Sequence, residues 1–300
     1  MTQNNILVVR GGGDLASGVI HRLYRCGYRV LILESARPSA IRREVSFCEA
    51  VYDGEAFVEG VLSHRIQDVG ECAGIWEMGE IPLLVDETGE AIKKLHPAAV
   101  IDAILAKKNL GTNRAMAPLT IALGPGFLAG RDVDYVVETQ RGHDLGRIVE
   151  EGWAAPNTGI PGMIGGYGKE RVIHSPAAGT IHSRAKISDL VEKDQVIAVI
   201  STEKNREIPV FATISGVLRG MIREEYQVSE GMKIADIDPR KEQKKNCNTI
   251  SDKARCIAGT VVEILLSEGI VPRTEGEEEI CLLYDGCFNR RGKGRNTIIR

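Results

Sequence analysis

The sequence predicts an α/β protein: a parallel-sheet domain, then a small all-β domain, then a C-terminal helix. Three observations predict it. Residues 6–34 run strand, glycine turn, helix, strand, acid; residues 173–200 and 210–237 repeat with a period of 37; and an apolar stripe at helical spacing covers about 251–268. The boundaries that follow are 1–168, 169–240 and 241–300.

In the first element, Ile6 to Arg10 reads as a buried strand running straight into Gly11, Gly12 and Gly13. Leu15, Val19 and Leu23 then stand four apart on one helical face, Gly27 closes the helix, and Tyr28 to Leu33 reads as a second apolar strand ending at Glu34. Gly11-x-Gly13-x-x-Ala16 fits the dinucleotide-binding pattern, and Glu34 lies near the distance of about 20 residues at which an acid meets ribose hydroxyls. The first domain is therefore expected to be Rossmann-like. The glycines, with Ser17 and Gly18 behind them, would let a phosphate approach the helix N-terminus, where free N–H groups carry partial positive charge. Asp14 is at odds with a plain pyrophosphate there, since its carboxylate suits the helix dipole but repels a second anion.

Arg37, Arg42 and Arg43 follow the second strand, at the edge where ligands lie in doubly wound sheets. Short strands are predicted at Ala50–Tyr52, Pro82–Val85, Ala99–Asp102, Pro118–Leu123 and Val133–Thr139. The last two run into glycine-bearing loops, one with Gly124 and Gly126, the other with Arg141, His143 and Arg147. Arginines grip oxyanions bidentately, so Arg42, Arg141 and Arg147 are candidate anion binders. His143 reads as a surface hydrogen-bonding residue first and a general acid or base second. The glycine-rich run Asn157–Gly168 marks the domain boundary.

In the repeat, Gly179 matches Gly216, Ile181 matches Leu218, Val191 matches Val228, and Ile197-Ala198 match Ile234-Ala235. Neither half could bury a core alone. Two interlocked halves would make a barrel-sandwich hybrid, which this segment resembles in biotinyl and lipoyl carriers. In those carriers the modified lysine sits on the hairpin between the halves, where this chain has Lys204. Beyond a charged linker at 241–248, Ser251 reads as the N-cap of an amphipathic helix whose stripe is Ala254, Ile257, Ala258, Val261 and Leu265. The tail from Asn289 to Arg300 is basic and reads as loose.

A net charge of −3 gives no reason to expect nucleic acid or an anionic membrane as partner. No apolar run reaches the roughly 18 residues of a membrane helix. Seven scattered cysteines with no CxxC spacing read as reduced thiols and predict a cytoplasmic protein without a metal site. Cys48, close after Arg42 and Arg43, is the thiol nearest to positive charge.

Several longer motifs occur in order: Arg10-Gly-Gly-Gly-Asp-Leu-Ala-Ser-Gly18, Arg42-Arg-Glu-Val-Ser-Phe47, Ala122-Leu-Gly-Pro-Gly-Phe127, Glu138-Thr-Gln-Arg-Gly-His143, Pro156-Asn-Thr-Gly159 and Ile214-Ser-Gly-Val-Leu-Arg-Gly220. Over nearly its whole length the chain resembles the YqeB family of selenium-dependent molybdenum hydroxylase accessory proteins. The resemblance implies a cytoplasmic factor for maturing hydroxylases of the xanthine dehydrogenase type, with the hydroxylase apoenzyme or other cofactor-maturation proteins as partners. The ligand it implies is a nucleotide or molybdopterin dinucleotide, and it carries over no catalytic residue. Two other readings stand beside it: an NAD(P)-dependent oxidoreductase using the glycine turn and Glu34, and a lipoyl or biotinyl carrier using Lys204.

Overall fold

The computed structural model describes residues 5–159, 162–204 and 206–272. The first half of the chain builds a nine-stranded mixed sheet. Its strands are β1 (Ile6–Arg10), β2 (Arg29–Glu34), β3 (Glu55–Val58), β4 (Val61–Ile66), β5 (Ile81–Val85), β6 (Ala99–Asp102), β7 (Leu119–Leu123), β9 (Tyr135–Val137) and β10 (Ile148–Val149). A separate two-stranded ribbon pairs β8 (Leu128–Ala129) with β11 (Gly152–Trp153). The order in the large sheet is β10-β9-β7-β6-β1-β2-β5-β4-β3. Neighbours from β9 through β4 pair in parallel, while both margins, β3 on β4 and β10 on β9, are antiparallel.

Strand β1 lies at the centre, and both of its faces are buried. Leu7 and Val9 point toward α1 (Asp14–Arg25), and Val8 points to the other side with Leu31, Val100 and Ile92. Three short helices, α2 (Ala50–Asp53), α3 (Cys72–Glu77) and α4 (Glu90–Leu95), join the strands. Helix α5 (Asp252–Ser267) returns from the far end of the chain to lie beside α1. Its fully buried Ile257, Val261, Ile264 and Leu265 share a core with Ile20 and Leu23. Each such side chain contributes about 1.5–3 kcal/mol relative to exposure. The two helices approach closely at Gly18, where an added Cβ would lie 2.6 Å from the Ala254 Cβ.

The intervening residues form two four-stranded antiparallel sheets. Their strands are β12 (Val172–His174), β13 (Gly179–Ser183), β14 (Leu190–Val191), β15 (Val196–Ser201), β16 (Glu207–Phe211), β17 (Gly216–Met221), β18 (Gln227–Val228) and β19 (Lys233–Asp238). One sheet runs β12-β19-β17-β14 and the other β16-β15-β13-β18, so each combines two strands from either half of the repeat. Ile181, Ile197, Ile200, Leu218, Ile234 and Ile237 fill the space between them. The repeat has a backbone cause. A Cβ on Gly179 or on Gly216 would lie 2.3 Å from the carbonyl oxygen of Ser201 or Asp238 respectively.

The expected architecture, a Rossmann-like parallel sheet plus a small barrel-sandwich hybrid and a terminal helix, is corrected by this topology. The large sheet is mixed. Glu59 and Gly60, both at positive φ, fold β3 back antiparallel to β4, and β10 returns on β9 in the same sense. Several crossovers are loops or single 3-10 turns, as between β6 and β7, so the sheet is not wrapped by regular helical layers. The second region consists of two distinct four-stranded antiparallel sheets. Residues 50–52, expected as a strand, are the short helix α2, stopped by Gly54 at φ +84°. The expected charged linker is a 3-10 helix at Lys241–Asn246, and the basic tail at 289–300 lies outside the described residues.

Candidate functional site at the carboxyl edge of the large sheet

Pairing aligns the ends of β1, β2, β6, β7 and β9, so Gly11, Glu34, Ala103, Gly124 and Glu138 share one edge. The glycine turn is there, but the protein itself fills most of it. Gly11 takes φ +98°, and a Cβ on it would lie 2.9 Å from the Ala103 carbonyl oxygen. The Gly12 N–H donates to Glu34 Oε2 at 2.7 Å, and the Gly12 carbonyl accepts from the Cys48 N–H at 2.9 Å and the Ser17 hydroxyl at 3.0 Å. Ser17 Oγ in turn accepts from the Phe47 N–H at 2.9 Å. Glu34 Oε1 accepts from the Ser35 N–H at 2.7 Å, so both carboxylate oxygens are engaged. Burial pushes the Glu34 carboxyl above its ordinary value, with these amide hydrogen bonds acting against the shift. Cys48 is buried, and burial with Glu34, Glu49 and Asp14 nearby drives its thiol well above the usual range. It is a packed thiol rather than a reactive thiolate.

The remaining predicted site residues divide in two. Gly18 serves the α1–α5 contact. Gly124 meets Thr139, where a Cβ would lie 2.5 Å from Oγ1, and Gly126 meets the Lys108 backbone N at 2.7 Å. His143 is exposed, and Arg147 is an exposed residue paired with Asp144 at 2.9 Å. Arg42 and Arg141 do reach a common place. The Arg42 guanidinium is buried, and its Nη2 donates to the carbonyls of Asn246, Cys247 and Thr249. Its Nη1 lies 3.7 Å from Asp14 Oδ2, and its buried Nε has no partner among the described residues. Arg141 forms a bidentate pair with Asp252 at 2.9 Å, which holds that carboxyl down at about 2.

Both α1 and α5 begin at this edge, and Gly18 against Ala254 brings the first turn of α5 onto the second turn of α1. Gly13, the N-cap of α1, provides no side-chain cap, and a Cβ built on it meets nothing within 4 Å. The space beside Gly13 is therefore open among the described residues. Beside it is Lys253, a half-buried lysine whose ammonium has no hydrogen bond or ion pair among the described residues. Burial, then Arg141, lowers its pKa from the ordinary lysine value, while Asp14, Glu138 and Asp252 act the other way. Glu138 is otherwise committed, accepting from the Gln140 and Ala155 N–H groups at 2.6 Å. Sequence reading missed Lys253. Its one signal was its place two residues after the N-cap Ser251, which reads as helix surface until α1 is known to lie alongside.

Two open cavities, of about 390 and 320 Å³, lie at the opposite, amino edge, around Pro118, Leu119 and Glu268. Two of their polar pairs are Arg114 with Asp134 at 2.6 Å and Tyr135 with Glu268 at 2.5 Å.

This arrangement defines a junction of two helix N-termini with cationic side chains, suited to an oxyanion. Over 263 residues, 88% of its length, the chain is 46% identical to a protein of Escherichia coli K12 described as uncharacterized protein YqeB. That similarity supports the resemblance to the YqeB family. The chain spans about half of that relative, 48% of its length. No protein-family model matches the chain. Among solved structures, an aspartoacylase family protein from Mesorhizobium loti is 14% identical, with 78% of this chain and 85% of that one covered and a TM-score of 0.28. A succinylglutamate desuccinylase/aspartoacylase from Rhodobacter sphaeroides is 12% identical, with 79% and 86% covered and a TM-score of 0.26. Likenesses at these scores carry no argument about fold or activity. No helix among the described residues is long and apolar enough to cross a membrane.

Proposed function

We propose that the chain is a cytoplasmic accessory factor in the maturation of selenium-dependent molybdenum hydroxylases. Its ligand in this reading is a nucleotide or molybdopterin-type anion at the carboxyl edge. The similarity to YqeB supports the family part of the reading. The ligand part is carried by one observation: an uncapped α1 N-terminus beside the ammonium of Lys253, which has no partner among the described residues. A phosphate of the ligand would be held by the first-turn N–H groups of α1, by Lys253 and by Arg42, whose buried Nε has no partner among the described residues. The partner is a hydroxylase apoenzyme or another cofactor-maturation protein. An NAD(P)-dependent oxidoreductase fits less well, because Glu34 is turned back onto Gly12 and Ser35 instead of facing ribose hydroxyls.

Small molecules released from protein purified from its host test the ligand, and a strain lacking the protein tests the role. The reading expects a pterin nucleotide in the extract. It also expects hydroxylases that assemble in the deletion strain but stay inactive until the protein is restored. Recovery of NAD(P), or full hydroxylase activity in the deletion strain, would overturn it.

A further inference from the structure

We infer that Asp14 is an internal stand-in for the ligand's oxyanion, and that a bound phosphate displaces it from Arg42 and Lys253. The inference rests on the carboxyl-edge reading and adds which residue guards the seat. The carboxylates around the junction are not equivalent. Asp252 is fixed by two hydrogen bonds from Arg141, Glu138 by two backbone amides, and Glu34 by the amides of Gly12 and Ser35. Asp14 has no hydrogen bond of its carboxylate among the described residues. It has a 3.7 Å ion pair with Arg42, and its side chain is 38% exposed.

Its position is nevertheless the one an anion would choose. It stands on the first turn of α1, where the helix dipole favours negative charge, and its field reaches both Arg42 and Lys253. Those two cations are the ones left with unspent hydrogen-bonding capacity, since Arg42 Nε is buried without a partner and the Lys253 ammonium is unpaired among the described residues. The open space over Gly13 adjoins the same turn. A phosphate entering there would gain charge-assisted bonds that a loosely held carboxylate does not make. It would also face that carboxylate as a like charge, so Asp14 must rotate outward toward solvent. Asp14 thereby sets a threshold, excluding weak monoanions and admitting an oxyanion that offers several acceptors. Lys253 is the cation that holds the admitted group.

Titration of the purified full chain with inorganic pyrophosphate at fixed ionic strength tests this, for the parent and for Asp14→Asn and Lys253→Met. Thermal melts check that each variant is folded. Asp14→Asn is expected to bind about threefold tighter or more, because the like charge is gone while the side chain still fits the helix turn. Lys253→Met is expected to bind about tenfold weaker or worse. The double variant should still bind more tightly than Lys253→Met, since the like charge at Asp14 is removed in both backgrounds. If Lys253→Met fails to fold, Lys253→Gln takes its place with the same expectation. Pyrophosphate binding that Asp14→Asn leaves unchanged or weakens overturns the inference while leaving an anion site at this edge. Absence of pyrophosphate binding in every variant, Asp14→Asn included, overturns both.

Discussion

The glycine turn and the α1–α5 junction lie side by side at one edge of the large sheet, yet they treat their polar groups in opposite ways. In the turn, the N–H and carbonyl of Gly12 and the Ser17 hydroxyl are all bonded by the chain itself, and Glu34 closes the ring of contacts. At the junction, a half-buried lysine and the Nε of a buried arginine have no partners among the described residues beside an uncapped helix end. A glycine pattern therefore marks where backbone must approach backbone. Capacity for a ligand lies where charge is left unspent, and that depends on a helix contributed by the distant end of the chain.

The sharpest way to break this comparison is to set Gly12 against Gly13. A Cβ on Gly12 would lie 2.9 Å from the Cys48 backbone N, so Gly12→Ala should lower unfolding free energy by about 3 kcal/mol. Gly13→Ala, with nothing within 4 Å of its Cβ, should change stability by less than about 0.5 kcal/mol. Chemical denaturation of both variants checks it, and equal losses would remove the distinction. Next in size is the helix contact. Gly18→Ala should cost about 2 kcal/mol by forcing α1 from α5, and Ala254→Gly in the same chain should recover part of that loss. A double-mutant cycle with zero coupling would show that the helices do not depend on this approach.

Ser17→Ala leaves the buried Phe47 N–H without its acceptor and should cost about 1–2 kcal/mol in denaturant melts. Arg141→Ala removes an exposed pair and should cost less than about 1 kcal/mol. Its pH dependence has a definite sign. The Asp252 carboxyl titrates at about 2 in the fold against an ordinary 3.8, so the pair's contribution is present above 3.8 and lost as pH falls through 2. Acid melts of the variant and parent should converge there. The smallest expected effect belongs to Lys253. Its folded pKa lies below the ordinary 10.5, so the unfolded chain binds more protons and stability rises with pH toward 10.5. Lys253→Met should flatten that rise in alkaline melts.

Much of the first region was legible in the sequence. Ile6–Arg10 and Ala99–Asp102 are strands at the expected residues, and the helix after the glycines ends at Arg25, with Gly27 at positive φ just beyond its C-cap. The repeat was legible too, since β13 and β17, β14 and β18, and β15 and β19 each start 37 residues apart. Sequence period could not show how those strands divide between two sheets, because exchange of β14 and β18 depends on pairing between halves. Nor could it show the antiparallel margins, which depend on positive φ at Glu59 and on where β10 comes back. The arginines were singled out by charge alone. Arg42 proved to be bound to the carbonyls of Asn246, Cys247 and Thr249, about two hundred residues away, and no local pattern encodes such a contact.

The return of α5 to the first region has a consequence for how the chain is made. During synthesis, every strand of the large sheet leaves the ribosome before the helix that completes one of its faces. Until residues 252–267 emerge, Ile20 and Leu23 on α1 lack the apolar neighbours Ile257, Val261 and Leu265 that enclose them in the finished protein. The nascent intermediate therefore presents a greasy furrow beside α1 while the antiparallel region is still being translated, a natural ligand for a holding chaperone. A chain interrupted after Asp238 would lack the α5 side chains that cover Ile20 and Leu23.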